Sequence, residues 1–153
     1  MTQTPPKLSR TARSLPIALL RARETVMEPY RDMLNTIGIS EQKWRVLRVA
    51  SESGPTEQTV IAKTACLMLP SLTRILTALE KDGLLTRQPD TQDRRKSIVT
   101  LTQAGQALIH AHADQSARIT ARLQDRFGPD RMSTLLDLLE DLHQLDLSGT
   151  GPD

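Results

Sequence analysis

The chain has 153 residues, the length of one globular domain, and its 38% hydrophobic and 25% charged residues are ordinary for a soluble chain and argue against disorder. Only 2% of the residues are aromatic, so aliphatic side chains must build the core, which favours a mainly helical fold over an all-β one. The formal charge of +2 is spread unevenly, with six basic and two acidic residues over 7–31 and two basic and seven acidic residues over 125–153. This asymmetry indicates either a polyanionic partner for the basic part or two solvated faces of opposite sign.

The single cysteine and the absence of long apolar runs bear on where the protein works. One cysteine, Cys66, cannot form an internal disulfide, which is typical of a reducing compartment. No apolar run approaches the roughly 18 residues of a membrane span, and the N-terminus has no signal-peptide pattern. We therefore expect a cytoplasmic protein without membrane contact.

Two helices are predicted in the first third of the chain, after a flexible arm over residues 1–13. A helical apolar pattern runs from residue 14 to about 35, and Pro29 inside it is expected to kink or split the helix. Ser40 has the side chain of a helix cap, and a second helix follows it over residues 41–53.

Residues 56–82 have the pattern of a helix-turn-helix unit. Thr56 and Glu57 are expected to open a short helix that reaches residue 65, and Pro70 is well placed to begin the next helix, which ends before Gly83. On a helical wheel the second helix has an apolar side, predicted to face the core, made of Leu72, Ile75, Leu76 and Leu79. The opposite side is predicted to contact DNA bases and phosphates, or else is merely solvated, and it carries Ser71, Thr73, Arg74 and Thr77.

The period then changes to that of a β-hairpin. Two strand-like runs, 84–87 and 97–101, flank a polar connection over residues 88–96. The tip carries three cations predicted to reach the DNA backbone or minor groove, Arg94, Arg95 and Lys96, and Asp93 is close enough to hold one arginine as a strut. A helix-turn-helix followed by a basic-tipped hairpin predicts a winged helix, a DNA-binding architecture.

The last third of the chain is predicted to be two helices. Thr102 is expected to cap a helix that reaches residue 127, and a second helix covers residues 130–147, before a flexible tail over 148–153. The last helix has an apolar seam built from Met132, Leu135, Leu136, Leu138, Leu139, Leu142 and Leu145. A second copy of the chain or an intrachain helical cap would cover it.

Four stretches carry a resemblance to a known family. The segment LLTRQPDTQDRRKSIVTLTQAG (84–105) resembles the wing signature of the MarR family of bacterial regulators, with Asp93, Arg95 and Leu-Thr-x-x-Gly at 101–105. Residues 70–85 are similar to the recognition helix of that family. Residues 14–35 and 39–49 are similar to the subgroup that regulates homoprotocatechuate degradation operons. Leu69 and Pro29 depart from the pattern, since a polar cap and an uninterrupted helix are expected there.

The resemblance implies a mainly α fold with a small β-hairpin wing, arranged as a MarR-like dimer. Residues 39–101 would form the winged helix-turn-helix DNA-binding domain, and residues 14–38 with 102–147 the helical dimerisation region. The implied function is a dimeric repressor of an aromatic-compound operon that binds double-stranded DNA at a pseudo-palindromic operator and is released by an aromatic acid.

Four residues are candidates for binding that acid. Arg23 shares the apolar face of the first helix with Met27, and a buried arginine needs an anion, ideally a carboxylate. Arg21 is expected to point instead toward Glu24 and Glu28. Trp44 and Arg48 lie one turn apart on the second helix and offer a stacking surface and a second cation. The alternatives are that Arg23 pairs with a glutamate or a carbonyl and that Trp44 is a core residue.

Other chemistry has little support in the sequence. Cys66 is expected to be a small buried hydrophobic residue, with a thiol redox sensor as the alternative. His110 and His112 diverge on a helix, so neither a metal site nor a cofactor is predicted, and no enzyme motif is present. A ligand-blind architectural DNA-binding protein remains the second alternative to the repressor.

Overall fold

The computed structural model describes residues 10–149, a part that contains one short 3-10 turn, Thr11–Arg13, together with six α-helices and three strands. The helices are α1 Leu15–Ile37, α2 Glu41–Ser53, α3 Gln58–Thr64, α4 Leu69–Lys81, α5 Gln103–Phe127 and α6 Pro129–His143. The strands are β1 Thr56–Glu57, β2 Leu85–Pro89 and β3 Ser97–Leu101. The predicted mainly α fold with a small wing is confirmed, while most of the predicted arm and tail lies outside the described residues. Among the described helices, none is by itself long and apolar enough to cross a membrane, and α3 with α4 passes that test only as a pair bent by 110°.

The helix ends follow local sequence signals. Ser40 caps α2, because its side chain accepts a hydrogen bond from the backbone N–H of Lys43 at 3.2 Å. α1 ends at Ile37 and is capped by Gly38, whose φ of 74° is left-handed and suits glycine. Of the predicted kink or split at Pro29, the split does not occur, since α1 continues through this residue to Ile37. A proline removes one helical hydrogen bond, and the burial of Met33 one turn later stabilises the segment beyond it.

The wing belongs to a three-stranded antiparallel sheet with strand order β1-β3-β2. β2 pairs with β3 from Leu85 opposite Leu101 to Pro89 opposite Ser97, so the connecting loop is shorter than predicted. The expectation that Thr56 and Glu57 open a helix is wrong, because both residues form β1 and pair with β3. Two residues are too few to show a strand period in the sequence, and their partner lies about forty residues later.

One hydrophobic core holds α4 and the sheet together. Leu72, Leu76 and Leu79 are fully buried, and Ile75 is partly buried against them, so the predicted apolar side of α4 is confirmed. The other buried residues of this core are Val46, Leu47, Ile61, Ala62, Ala65, Leu85 and Val99. Burial of one leucine contributes about 1.5–3 kcal/mol, so this packing holds α4 firmly against the wing strands.

The chain divides into two compact units that meet between Ser116 and Ala117, within α5. In the second unit the guanidinium of Arg131 lies 4.3 Å from the centre of the Phe127 ring. α6 has no buried residue and ends at His143, four residues earlier than predicted. Its exposed large apolar side chains are Leu135, Leu136, Leu138, Leu139 and Leu142.

Candidate nucleic-acid interface

The exposed side of α4 carries the side chains predicted to contact DNA. Thr73, Arg74 and Thr77 are exposed, and Ser71 is partly buried at the start of the helix. Because the leucines on the opposite side are fully buried, α4 has one fixed rotation about its own axis. The structure therefore brings the four predicted residues together on the accessible side of α4.

The two threonines of α4 are tied into a hydrogen-bond network. The Thr73 hydroxyl donates to the backbone oxygen of Leu69 at 3.0 Å and accepts from Gln58 Nε2 at 2.8 Å. The Thr77 hydroxyl donates to the Thr73 oxygen at 3.0 Å and accepts from Arg87 Nη2 at 3.2 Å. Side chains from α3 and β2 thus set the orientation of both threonines.

Arg87 is a residue that sequence reasoning missed. It lies on β2, and its Nε donates to Glu80 Oε2 on α4 at 3.0 Å. With its contact to Thr77 it joins the wing strand to the helix. The signal in the sequence was weak. Glu80 and Arg87 are seven residues apart in different elements, so their contact can be expected only when the turn between α4 and β2 is known.

The tip of the wing holds an arginine on an aspartate. Arg95 Nε donates to Asp93 Oδ1 at 3.0 Å, its Nη2 to Oδ2 at 3.2 Å, and its backbone N–H to Oδ1 at 3.1 Å. These bonds, the side-chain ones above all, lower the pKa of the Asp93 carboxyl. The Arg95 side chain is nevertheless 91% exposed, so the guanidinium stays accessible while its direction is restricted.

The other two cations of the tip differ in their partners. Lys96 Nζ lies 3.6 Å from Glu57 Oε2 of β1, which connects the tip to the third strand of the sheet. Arg94 is exposed and has no carboxylate partner within residues 10–149. Its charge is therefore the least compensated one at the wing tip.

The motif Leu-Thr-x-x-Gly at 101–105 forms the junction between β3 and α5. The Thr102 hydroxyl donates to the Gly83 oxygen at 2.6 Å and accepts from the Gly105 N–H at 3.1 Å, which caps α5 as predicted. A Cβ on Gly105 would lie 2.1 Å from the oxygen of Leu84. Only glycine therefore lets the start of α5 approach the wing this closely.

The geometry corrects the expectation that Arg23 is buried and confirms the alternative that it pairs with a glutamate. This side chain is 45% exposed, not buried, and its Nη2 donates to Glu41 Oε2 at 2.6 Å. Arg31 also donates to Glu41 and binds Glu24 through two bonds of 2.7 and 2.9 Å. Glu24 contacts Arg31 and Arg23, and within residues 10–149 no ion pair joins Arg21 to Glu24 or Glu28. Hydrogen bonds donated by Arg31 above all, and the charge of Arg23, lower the pKa of the Glu24 and Glu41 carboxyls.

The remaining candidate ligand residues differ in how far they are buried. Trp44 is 7% exposed and belongs to the buried set, while Met27 is partly buried. Arg48 is exposed and pairs with Glu52 at 2.8 Å. The structure therefore does not show an open cleft formed by these side chains, and the alternative of a core tryptophan describes this chain.

Cys66 is exposed, which contradicts the expectation of a buried residue. It has a φ of 53°, in the left-handed region, where the chain turns sharply between α3 and α4. The turn directs its side chain outward, whereas its neighbour Ala65 takes the buried position. Over residues 10–149, no group of three or more histidine, cysteine, aspartate or glutamate side chains has the arrangement of a metal site.

Known proteins are similar to this chain in sequence and in fold. The model of the MarR family matches residues 39–97. The homoprotocatechuate degradative operon repressor of Escherichia coli is 38% identical over 128 residues, which cover 84% of this chain and 86% of that protein. The structure of NadR in complex with 4-hydroxyphenylacetate is 33% identical, with a TM-score of 0.80, and the match covers 94% of this chain and 100% of NadR.

A third match includes DNA. The transcriptional repressor CouR, bound to a 23-mer DNA duplex, is 28% identical with a TM-score of 0.79 over 92% of this chain and 100% of CouR. These similar proteins are transcriptional regulators, in agreement with the helix-turn-helix and the basic wing found here. The resemblance of the wing signature is thereby confirmed, and the chain belongs to the MarR family of winged-helix transcriptional regulators.

Proposed function

We propose that this protein is a dimeric repressor of an aromatic-compound operon, released from a pseudo-palindromic operator by an aromatic acid. The observation that carries the proposal is that one buried core packs α4 against the wing strands and leaves both the polar side of α4 and the basic wing tip exposed. The aromatic assignment is supported by the similarity to the homoprotocatechuate operon repressor and to NadR with its 4-hydroxyphenylacetate.

Residues 39–101 would contact the operator. Placed in the major groove, α4 would present Arg74 to base edges, with Ser71, Thr73 and Thr77 beside it. The wing would present Arg94, Arg95 and Lys96 to phosphates or to the minor groove. Since Arg95 is held by Asp93 before DNA arrives, less conformational entropy would be lost when the wing binds.

A second copy of the chain would cover the apolar faces of the outer helices. α6 leaves five leucines exposed, and α1 leaves Leu15, Leu19 and Leu20 exposed. Large apolar patches of this kind mark contact surfaces, and a two-fold pair would bury the same patch on each copy. The dimerisation region would comprise residues 14–38 and 102–147.

The effector site would lie beside α1 and α2, where Arg23, Met27, Trp44 and Arg48 were predicted to hold an aromatic acid. The ion pair of Arg23 with Glu41 changes the proposal, because the effector carboxylate must compete with Glu41 for the guanidinium. Exchange of this partner would alter how α1 is held against α2. A ligand lowers DNA affinity only if it binds the DNA-incompetent dimer more tightly. Half-sites about 10–10.5 base pairs apart make the dimer sensitive to small changes in recognition-helix spacing.

The test is effector titration by fluorescence anisotropy on a labelled operator obtained by selection from random DNA. Arg23→Ala should bind the operator and need more aromatic acid for release, and Glu41→Gln should need less, because the internal competitor is gone. Arg21→Ala is the matched control and should respond as the wild type does. Release of Arg23→Ala at the wild-type concentration would move the effector site elsewhere.

A thiol-dependent regulator is the second candidate, favoured by the exposure of Cys66. The same operator complex should then be released by peroxide and not by aromatic acids, and Cys66→Ser should abolish that release. A complex that responds to neither treatment would indicate a ligand-blind DNA-binding protein.

A further inference from the structure

The start of α4 is unusually apolar for a helix expected to enter DNA. Met68 is the N-cap residue, its side chain makes no capping bond, and it is 76% exposed. Leu69, the first residue of α4, is 44% exposed. Serine, threonine, asparagine or aspartate would satisfy helix N–H groups at the N-cap, so this position carries apolar surface where capping alone would favour a polar group.

The threonines of α4 extend this apolar character. The hydroxyl protons of Thr73 and Thr77 are already donated to the backbone oxygens of Leu69 and Thr73. Each hydroxyl also accepts a bond, from Gln58 and from Arg87 respectively. Neither threonine has a proton left for a base acceptor, so the methyl group is the part of each side chain that remains for an apolar contact.

We propose that Met68, Leu69 and the methyl groups of Thr73 and Thr77 form a surface that recognises thymine methyl groups in the operator. This assignment rests on the proposed function. The C5-methyl of thymine is the apolar group that base pairs present in the major groove. The four residues are exposed near Arg74, which is also exposed, so one helix would read guanine by hydrogen bonds and thymine by apolar contact.

Gln58 and Arg87 act in this proposal as positioning residues. Each donates to a threonine hydroxyl and so directs the methyl group of that threonine. Glu80 holds Arg87 at 3.0 Å, which restricts the guanidinium further. The base preference of α4 is therefore set in part by residues of α3 and β2.

Deoxyuridine tests the proposal directly, because it lacks only the methyl group and keeps every hydrogen-bonding atom of thymine. Thymines of the selected operator are replaced one at a time, and affinity is measured by fluorescence anisotropy at constant salt. At one or more positions in each half-site we expect a loss of about fourfold, the value of burying one methyl group. Replacement outside the half-sites is the control on the DNA side.

Variants assign the methyl contacts to residues. Thr73→Ser keeps the hydroxyl and loses the methyl, so it should bind the thymine operator more weakly and lose its sensitivity to deoxyuridine at one position. Met68→Ala should lose sensitivity at another position. Thr36→Ser is the matched control, since Thr36 on α1 makes the same type of bond, to the Asp32 oxygen at 3.0 Å.

Two results would overturn the proposal. One is that every deoxyuridine operator binds within about twofold of the thymine operator, a difference of less than 0.5 kcal/mol. The other is that the deoxyuridine effect persists unchanged in both Thr73→Ser and Met68→Ala. Failure of the proposed function gives a different result, since the selected operator would then not be released by aromatic acids, or selection would enrich no operator, whereas the deoxyuridine comparison is made without any effector.

Discussion

Gly105 is the position where one added methyl group should do most damage to the winged helix. The Cβ of Gly105→Ala would lie 2.1 Å from the oxygen of Leu84, 3.1 Å from its carbonyl carbon and 3.3 Å from Leu101 Cδ2. Two of these atoms are backbone, so the contact cannot be relieved by rotating a side chain. The start of α5 must move away from Leu84 by about 1 Å to restore an ordinary contact distance.

The size of the effect follows from the bonds at this junction. A shift of α5 strains the bonds of Thr102 to the oxygens of Gly83 and Leu84, at 2.6 and 3.1 Å, and loosens the packing of Leu101. Each lost hydrogen bond costs about 1 kcal/mol. Overpacking adds about 1–3 kcal/mol. Alanine is a better helix former than glycine by about 1 kcal/mol, which offsets part of the loss. We expect Gly105→Ala to lower the free energy of unfolding by about 2–4 kcal/mol.

Urea denaturation followed by circular dichroism measures this loss, at one protein concentration because the stability of the proposed dimer would depend on it. Ala104→Gly is the matched control, since Ala104 is exposed on the same turn and should lose only about 1 kcal/mol through helix propensity. A Gly105→Ala protein as stable as the wild type, or stabilised by the propensity of alanine, would refute the packing argument.

Three further predictions concern the wing, α4 and the α1–α2 junction. Asp93→Ala and Arg95→Ala should weaken operator binding to the same extent. Arg94→Ala should weaken it too and reduce the slope of log affinity against log salt concentration by about one unit. Unchanged affinity in all three anisotropy titrations would contradict the wing assignment. Arg74→Ala should cost about 1–3 kcal/mol on the selected operator and little on random DNA, and an equal loss on both would make Arg74 a backbone contact. Glu41 has a lowered pKa when folded, so its stabilising effect is full above its usual pKa near 4.5 and is lost as the pH falls through the lower folded value. Glu41→Gln should therefore destabilise the protein to urea at neutral pH and match the wild type in strong acid, and a difference that does not change with pH would show that the charge is not responsible.

Features that depend on near neighbours in the chain were predictable. The caps at Ser40 and Thr102 connect residues three apart, and the apolar side of α4 follows from its 3.6-residue period. The Asp93–Arg95 contact joins residues two apart at the tip of a hairpin. These interactions need only local backbone geometry, so the residue types and their spacing were sufficient to expect them.

Features that depend on how elements pack were not predictable. The ion pair of Arg23 with Glu41 joins residues 18 apart, and the pairing of Thr56 with Val99 joins residues farther apart still. The exposure of Cys66 depends on one left-handed residue in the turn between two helices. A sequence pattern indicates which side of an element is apolar, but the partner of a polar group depends on the distance and angle between packed elements. The distance and angle depend on all of the core residues together, because the core leaves a helix packed against it, such as α4, one position in which its apolar side is buried without a gap.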